Sequence, residues 1–150
     1  MKTLIALSTI LISGCAANTT NSDSSQWIEP AQAVQMAAAA PESGTRGTFA
    51  LTVKSSGMGE AGRLFLDSES DYRDQRNLAI AVEPTALKEL EAQLHGSPEQ
   101  ALKGKQILVT GTARRTKIDF VVDGKPTDKY YYQTHVAVTD AAQIRIRNTN

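Results

Sequence analysis

Cysteine, aromatic residues and net charge are all scarce in this chain of 150 residues. The single cysteine, Cys15, excludes an internal disulfide and any metal site built from several cysteines. Lysine and arginine together number 16, as do aspartate and glutamate, so the formal net charge is zero and nothing indicates a strongly basic nucleic-acid binder. Aromatic residues make up only 5% of the chain, which limits the rings available to stack on bases. A chain of this length is expected to form one domain.

A short apolar run, Leu4 to Ile12, follows Lys2 at the amino terminus. It is too short for a membrane-spanning helix, which needs roughly 20 apolar residues. The run ends in Ile12-Ser-Gly-Cys15, which resembles the lipobox of bacterial lipoproteins. The resemblance implies cleavage before Cys15 and lipid on its thiol, so that residues 1–14 are a lipoprotein signal peptide. The alternative is an ordinary signal peptide with an incidental cysteine.

The sequence after the cysteine predicts where the protein is anchored and how its domain is attached. Ala16, rather than an aspartate, follows Cys15. By resemblance to lipoprotein sorting, this favours the outer membrane, facing the periplasm. Residues 15–26 are small and polar, which predicts a flexible tether. We therefore assign residues 27–147 to the folded domain.

Residues 27–147 contain apolar periodicities typical of helices and strands. Pro30 opens an alanine-rich helix that Pro41 ends. Leucines spaced i, i+3 and i+7 predict a second helix over 84–94. Alternation of apolar and polar residues predicts strands. The predicted strands are 48–55, 63–67, 77–83, 107–115, 130–138 and 143–147.

Glycines predict several irregularities in these segments. Gly111 lies inside a predicted strand, where glycine usually marks a bulge, a bend or a close backbone approach. Residues 56–62 are glycine-rich but lack the Lys-Ser/Thr ending of a phosphate loop, so we predict a flexible turn there. A further turn is expected at 44–47. Asp123-Gly124 is a strong signal for a tight hairpin turn.

The order of the predicted elements indicates the fold. Three strands, a helix and two long strands with a hairpin between them are the elements of an OB-fold. We therefore predict an all-β domain with one or two helices: a five-stranded OB-fold Greek-key barrel preceded by a short N-terminal helix. An open β-sandwich is the alternative.

Several segments also resemble a group of bacterial exported OB-fold proteins, whose domain is of the nucleic-acid-binding type. The segments are Phe65–Asp74, Leu78–Val82, Leu102–Lys105, Val109–Thr112, Val138–Asp140 and Gln143–Ile144, with the helix start Pro30–Val34 before them. The resemblance covers most of residues 27–147. It implies a fold rather than an activity, because the group has no shared catalytic residues that could be transferred to this chain.

The acidic run and the two histidines are the residues that could support enzymatic chemistry. The run comprises Asp67, Glu69, Asp71 and Asp74, and alternate carboxylates can bind Ca²⁺. The run lacks the glycine and closing glutamate of a calcium loop, so we predict a solvated connection with Arg73 or Arg76 pairing the carboxylates.

Neither histidine has a neighbouring set of metal ligands in the sequence. His95 lies near a helix end, and His135 lies within a strand. No Gly-x-Ser-x-Gly motif is present either. We therefore predict no metal, no cofactor and no enzymatic activity; a small metal-dependent hydrolase that uses the acidic loop and a histidine is the alternative.

Aromatic and basic residues of the strands form the candidate binding site. Alternation places Tyr131, Gln133 and His135 on one face of a strand, opposite to Tyr130 and Tyr132. This face could form a groove of the kind with which OB-folds bind oligonucleotides or oligosaccharides. The alternative is an ordinary sheet surface stabilised by cross-strand pairs. The candidate ligand-binding residues are Arg63, Phe65, Arg114, Arg115, Tyr131 and His135, with Lys54 and Lys117 beside them.

These observations predict a non-enzymatic binding or interaction module that lipid on Cys15 attaches to the membrane of the bacterial envelope. The balanced charge makes another envelope protein the first expected partner, followed by a glycan. A single-stranded nucleic acid is less expected.

Replacing Cys15 by serine removes the predicted site of lipid attachment. We expect Cys15→Ser protein to leave the membrane fraction, because acyl chains contribute roughly 0.8 kcal/mol per buried CH₂ group. Cell fractionation with immunoblotting measures this. Cys15→Ser protein that still sediments with membranes would contradict the predicted anchor.

Overall fold

The computed structural model of the protein describes residues 27–147, and both the predicted signal peptide (1–14) and the predicted tether (15–26) lie outside this range. The helices are α1 (Pro30–Ala39), α2 (Pro84–Leu94) and α3 (Pro98–Leu102). The strands are β1 (Thr45–Thr52), β2 (Ser55–Met58), β3 (Leu64–Asp67), β4 (Leu78–Val82), β5 (Gln106–Val122), β6 (Lys125–Val138) and β7 (Ile144–Ile146). None of the helices in residues 27–147 is both long and apolar enough to cross a bilayer.

The predicted helices are present, and small residues attach the first one to the sheet. Pro30 occupies the first turn of α1, where its missing N–H costs nothing. Ala33 and Ala37, one turn apart, are fully buried against the core. On α2 the buried residues are Ala86 and Leu90. Both helices therefore bury a narrow apolar stripe in the hydrophobic core.

The seven strands form one mixed sheet in the part of the chain that the structure describes, in the order β1-β5-β6-β4-β3-β2, with β7 paired to β5. All pairs are antiparallel except β4 with β6. The sheet curls into a half-barrel. Its two outermost strands, β1 and β2, follow each other in the chain with only Val53 and Lys54 between them. The N–H of Val53 donates to the carbonyl of Lys105, and the N–H of Gly104 donates to the carbonyl of Val53.

The concave face of the sheet holds the hydrophobic core. Alternation at period two places the large apolar residues of the first three predicted strands, apart from Phe65, on one inward face, and every one of these residues is buried. Burying one such side chain contributes roughly 1.5–3 kcal/mol. These residues are Phe49, Leu51, Val53, Leu64, Leu66, Leu78, Ile80 and Val82.

The strand count differs from the prediction: the described chain has seven strands rather than five. Ser55 to Met58 forms β2 and pairs with β3, although residues 56–58 are predicted as part of a glycine-rich turn and Ser55 as the end of the preceding strand. Thr45 to Gly47, predicted as a turn, pairs with β5 as the start of β1. Glycine and serine have low strand propensity, but a neighbouring strand that offers its backbone groups outweighs that preference.

The β5–β6 hairpin extends well beyond the strands that pair with it on either side. Residues 114–122 of β5 and 125–133 of β6 pair only with each other, because β1 reaches β5 only as far as Ala113 and β4 reaches β6 only from Thr134. We call these residues the hairpin arm. Its turn is the predicted Asp123-Gly124, with φ of 50° and 74°, values that suit a tight hairpin turn.

Gly111 marks a close approach rather than a bulge. Its pairing with Gly47 continues the regular β1–β5 register. A Cβ atom at this position would lie 2.7 Å from Cγ1 of Val136, a β-branched side chain with little freedom to move. The absent side chain therefore leaves room for the neighbouring strand.

We expect Gly111→Ala to lower the free energy of unfolding by roughly 1–3 kcal/mol, the usual cost of overpacking. Gly57→Ala is the matched control, because a Cβ atom there meets nothing within 4 Å. Denaturant unfolding of both variants measures the difference. Equal stability of the two variants would contradict the close approach at Gly111.

Candidate functional site

Small residues on β4 create a trough on the outer face of the sheet. The large residues of β4 point into the core, so Ala79 and Ala81 point outward. Ala81 pairs with Phe65 of β3, and Ala79 pairs with His135 of β6. Because the intervening side chains are only methyl groups, the rings of Phe65 and His135 meet across β4, with centroids 5.5 Å apart. We call this outer surface, between β3 and β5, the trough.

One end of the trough is cationic and polar. A hollow of about 740 Å³ there is lined by Arg46, Arg63 and Arg114 over a floor of small and hydroxyl side chains. Arg63 forms an ion pair with Glu83. Its Nη2 donates a hydrogen bond to Oε2 at 3.3 Å. Its Nε lies 2.9 Å from Oε1, but the Nε–H group is not aligned for a hydrogen bond. Glu83 is the one acidic residue among those that line this hollow. The lining therefore carries an excess of positive charge.

The other end of the trough is aromatic. A hollow of about 410 Å³ is lined there mainly by apolar side chains, together with Asp67, Gln133 and part of His135, which borders both hollows. The ring of Tyr131 also contacts Phe120, with centroids 5.3 Å apart. Ring faces and apolar chains are what a binding site uses to contact sugar or base rings and hydrocarbon groups. The principal apolar side chains are Met58, Phe65, Tyr72, Ile118 and Tyr131.

A chain of hydrogen bonds fixes the polar groups between the two ends. The amide Nε2 of Gln133 donates to the carbonyl oxygen of Tyr72 (3.0 Å) and to the hydroxyl of Tyr131 (3.1 Å). A carbonyl can only accept, so the amide oxygen of Gln133 faces Nε2 of His135, 2.7 Å away. His135 therefore carries a proton on Nε2.

Burial shifts the ionisation of the residues in this chain. Burial lowers the pKa of His135 to about 4, and the positive charge of Arg63 acts in the same direction. Burial, followed by the nearby Tyr72, raises the pKa of Tyr131. Both side chains are thus neutral at pH 7, and the middle of the trough presents dipoles rather than charges.

A second network positions the loop that carries Tyr72. Asn77 donates from Nδ2 to the carboxylate of Asp67 at 2.7 Å and to the carbonyl of Tyr72 at 3.3 Å. Burial raises the pKa of Asp67, and the hydrogen bond from Asn77 partly opposes this. The hydroxyl of Ser68 donates to the amide oxygen of Asn77 and accepts the N–H of Leu78. The loop is thereby tied to β3 and β4.

The acidic run pairs with basic residues, partly as predicted. Arg76 binds Asp74 at 2.7 Å and lowers the pKa of that carboxyl to about 2. Lys54 binds Glu69 at 2.8 Å. The guanidinium of Arg73 instead lies over the Tyr72 ring. Within residues 27–147, no group of three His, Cys, Asp or Glu side chains lies close enough to hold a metal ion.

The structure brings together five of the six candidate residues. Arg63, Phe65, Arg114, Tyr131 and His135 all line the trough. Arg115 does not, because successive residues of a strand face opposite sides. Its guanidinium lies 3.7 Å from the centroid of the Tyr132 ring on the other face of the hairpin. Lys117 lies likewise over Tyr130.

Sequence reasoning missed several residues of the trough. Arg46 lies in the segment predicted as a turn, and only its pairing with Thr112 of β5 brings it to the site. Tyr72 comes from the loop after β3, and Gln143 from the turn before β7. The polar or aromatic character of these residues did not indicate that they line the trough, because the strands beside them determine their position.

The lowered pKa of His135 predicts a pH dependence of stability. The unfolded chain binds a proton at His135 below about pH 6.5, but the folded protein does so only below about pH 4. Stability is therefore complete above pH 6.5 and falls as the pH drops towards 4, by up to roughly 3 kcal/mol at 1.36 kcal/mol per unit. We expect His135→Gln to lack this component. Denaturant unfolding of both proteins from pH 4 to 8 measures it, and parallel curves would contradict the assignment.

Comparison with known proteins assigns no family to this chain. No family model matches the sequence, and no curated protein matches it significantly. The functional interpretation therefore depends on the geometry of the trough and on the sequence of the amino terminus.

Proposed function

We propose that the domain is an OB-fold in which one strand is interrupted. If β1 and β2 are counted as one strand bent at Val53 and Lys54, five strands remain besides the short β7. Their pairings then form a closed path, bent strand to β3, β4, β6, β5 and back, with β4 and β6 parallel. A helix, α2, follows the third strand of this path. These features support the five-stranded Greek-key barrel of the OB-fold.

We further propose that the protein is a non-enzymatic binding module, attached by lipid on Cys15 to the bacterial outer membrane and facing the periplasm. The observation that carries the binding role is the trough, in which alanines on β4 leave an open floor between arginines and aromatic rings. The lipobox-like Ile12-Ser-Gly-Cys15 and the polar residues after it support the envelope location.

The shape of the trough favours an extended ligand. Along β5 the lining runs from Thr110 to Ile118, roughly 26 Å at about 3.3 Å per residue. Arginines at one end would bind carboxylate or phosphate groups, since their planar forks fit both. Rings at the other end would cover an apolar or ring-shaped group. An acidic segment of another envelope protein is our first candidate.

A glycan or a single-stranded nucleic acid is the second candidate. The favouring observation is that the rings of Phe65, Tyr72 and Tyr131 lie on the same face as Arg46 and Arg114. Single-stranded polymers are bound by this combination of stacking and charge neutralisation. Binding of a polyanion would weaken steeply with salt.

Adjacent arginines on opposite faces provide a matched test of the trough. Arg114 lines it, whereas Arg115 lies over Tyr132 on the other side. The probes are an acidic peptide, an acidic oligosaccharide and a single-stranded oligonucleotide, each titrated by calorimetry. For the probe that binds, we expect Arg114→Gln to weaken binding about tenfold, since a charged hydrogen bond contributes roughly 1.5–3 kcal/mol. We expect Arg115→Gln to change it little.

Chemical-shift mapping identifies the bound surface independently. Binding in the trough should perturb the ring resonances of Phe65, Tyr131 and His135. Equal losses in the two arginine variants, or perturbations confined to the opposite face, would refute the proposed site.

A further inference from the structure

The tip of the hairpin arm exposes several large apolar side chains. Phe120, Val121 and Val122 end β5, with exposed fractions of 46%, 61% and 60%. On β6, Tyr130 is also exposed. Consecutive apolar side chains at the end of a projecting hairpin are unusual on a free surface, where such patches generally mark a contact with another molecule or a membrane.

The arm does not need Val121 or Val122 for its own attachment. Its base is fixed by Gln133, which donates to the carbonyl of Tyr72, and by Ile118 and Tyr131, which line the trough beside Phe65. Further out, Lys117 lies over the ring of Tyr130 and also binds Asp119 at 2.7 Å. Val121 and Val122 lie beyond these contacts.

The charges of the tip favour a neutral interfacial environment. Between residues 117 and 129, three lysines are balanced by three aspartates, so charge alone does not attract the tip to a polyanion. Tyrosines and lysines beside an apolar tip are typical of side chains at the boundary between lipid headgroups and acyl chains. Lysine stems lie along apolar surface while the ammonium stays in water. The aspartates limit such a contact to a shallow one.

The amino-terminal chain brings a bilayer within reach of the tip. The predicted tether joins the domain at Trp27, next to Ile28, which pairs with Phe49, and Phe49 in turn pairs with Val109 of β5. The twelve steps from Cys15 to Trp27 span at most roughly 40 Å. Val122 lies thirteen residues beyond Val109 along β5, which is roughly 43 Å at about 3.3 Å per residue. A lipid on Cys15 therefore allows the tip to meet the bilayer that holds the lipid.

We propose that the tip of the hairpin arm, with Val121 and Val122 at its end, inserts into the headgroup region of the bilayer that anchors the protein. The inference rests on the proposed lipid anchor, which supplies the proximity. A contact too weak to hold a free protein suffices here, because attachment raises the effective concentration of the bilayer into the millimolar range. The contact would fix the orientation of the trough relative to the membrane.

A fluorescent reporter at the tip tests this insertion. The chain from Ala16 onward lacks the one native cysteine and keeps every described residue, so Val122→Cys gives a single labelling site. An amino-terminal hexahistidine tag attaches this protein to phosphatidylcholine vesicles that contain a nickel-chelating lipid. We expect the emission of an environment-sensitive dye at position 122 to shift to shorter wavelength when vesicles are added.

The matched control places the same dye on an exposed residue of α2, Lys88→Cys, for which we expect no shift. Val121→Cys provides a second reporter at the tip. Because the tip charges balance, the shift should persist in about 1 M salt, where the Debye length is only about 3 Å.

Three results would overturn the proposal. The first is that neither tip position shows a shift, and the second is that position 88 shows an equal shift. The third is a shift that appears without vesicles when the protein concentration is raised, which would indicate pairing between two copies. The chelating lipid replaces the native anchor, so these results concern the arm alone. A failure of the native anchor would appear only in the fractionation of Cys15→Ser protein.

Discussion

The alternation of side-chain size along β4 is the constraint on which the site depends. Both faces of this strand are buried, yet the two faces differ: Leu78, Ile80 and Val82 fill the core, while Ala79 and Ala81 lie outside. The core residues hold β4 at the centre of the sheet, between β3 and β6. The alanines in turn leave the space in which rings from the neighbouring strands meet. One strand thus contributes both to the stability of the half-barrel sheet and to the floor of the trough.

Polar contacts connect that floor to the loop after β3 and to the hairpin arm. The carbonyl of Tyr72 accepts hydrogen bonds from Asn77 and from Gln133, so a single acceptor joins the loop after β3 to the base of the hairpin arm. Gln133 in turn holds His135 and Tyr131 in fixed orientations. A ligand that displaced Tyr72 would therefore disturb both the arm and the histidine, which makes the trough a coupled unit rather than a set of separate side chains.

The sequence was sufficient for the features that depend on local periodicity. Phe49, Leu51 and Val53 could be assigned to the core because alternation at period two is read directly from the chain. The same rule places Arg114 and Arg115 on opposite faces of their strand. Applied strictly, it would have left only one of them among the residues predicted to line the groove. β2 could not be predicted, since Ser55 to Met58 has little strand propensity and becomes a strand only beside β3. Arg46 reaches the trough only because β1 pairs with β5, a strand that lies far along the chain.

The long-range pairings within the sheet have a consequence for how the chain folds. Thr45 pairs with Ala113, and Leu78 pairs in parallel with Thr134, so these pairings join distant parts of the sequence. Closing such long loops is entropically slow, whereas a hairpin with a two-residue turn forms within microseconds. The β5–β6 hairpin is thus expected to form first and to serve as the template on which β1 and β4 assemble. During that interval its long unpaired edges are exposed, and the lysines along them reduce pairing with other chains.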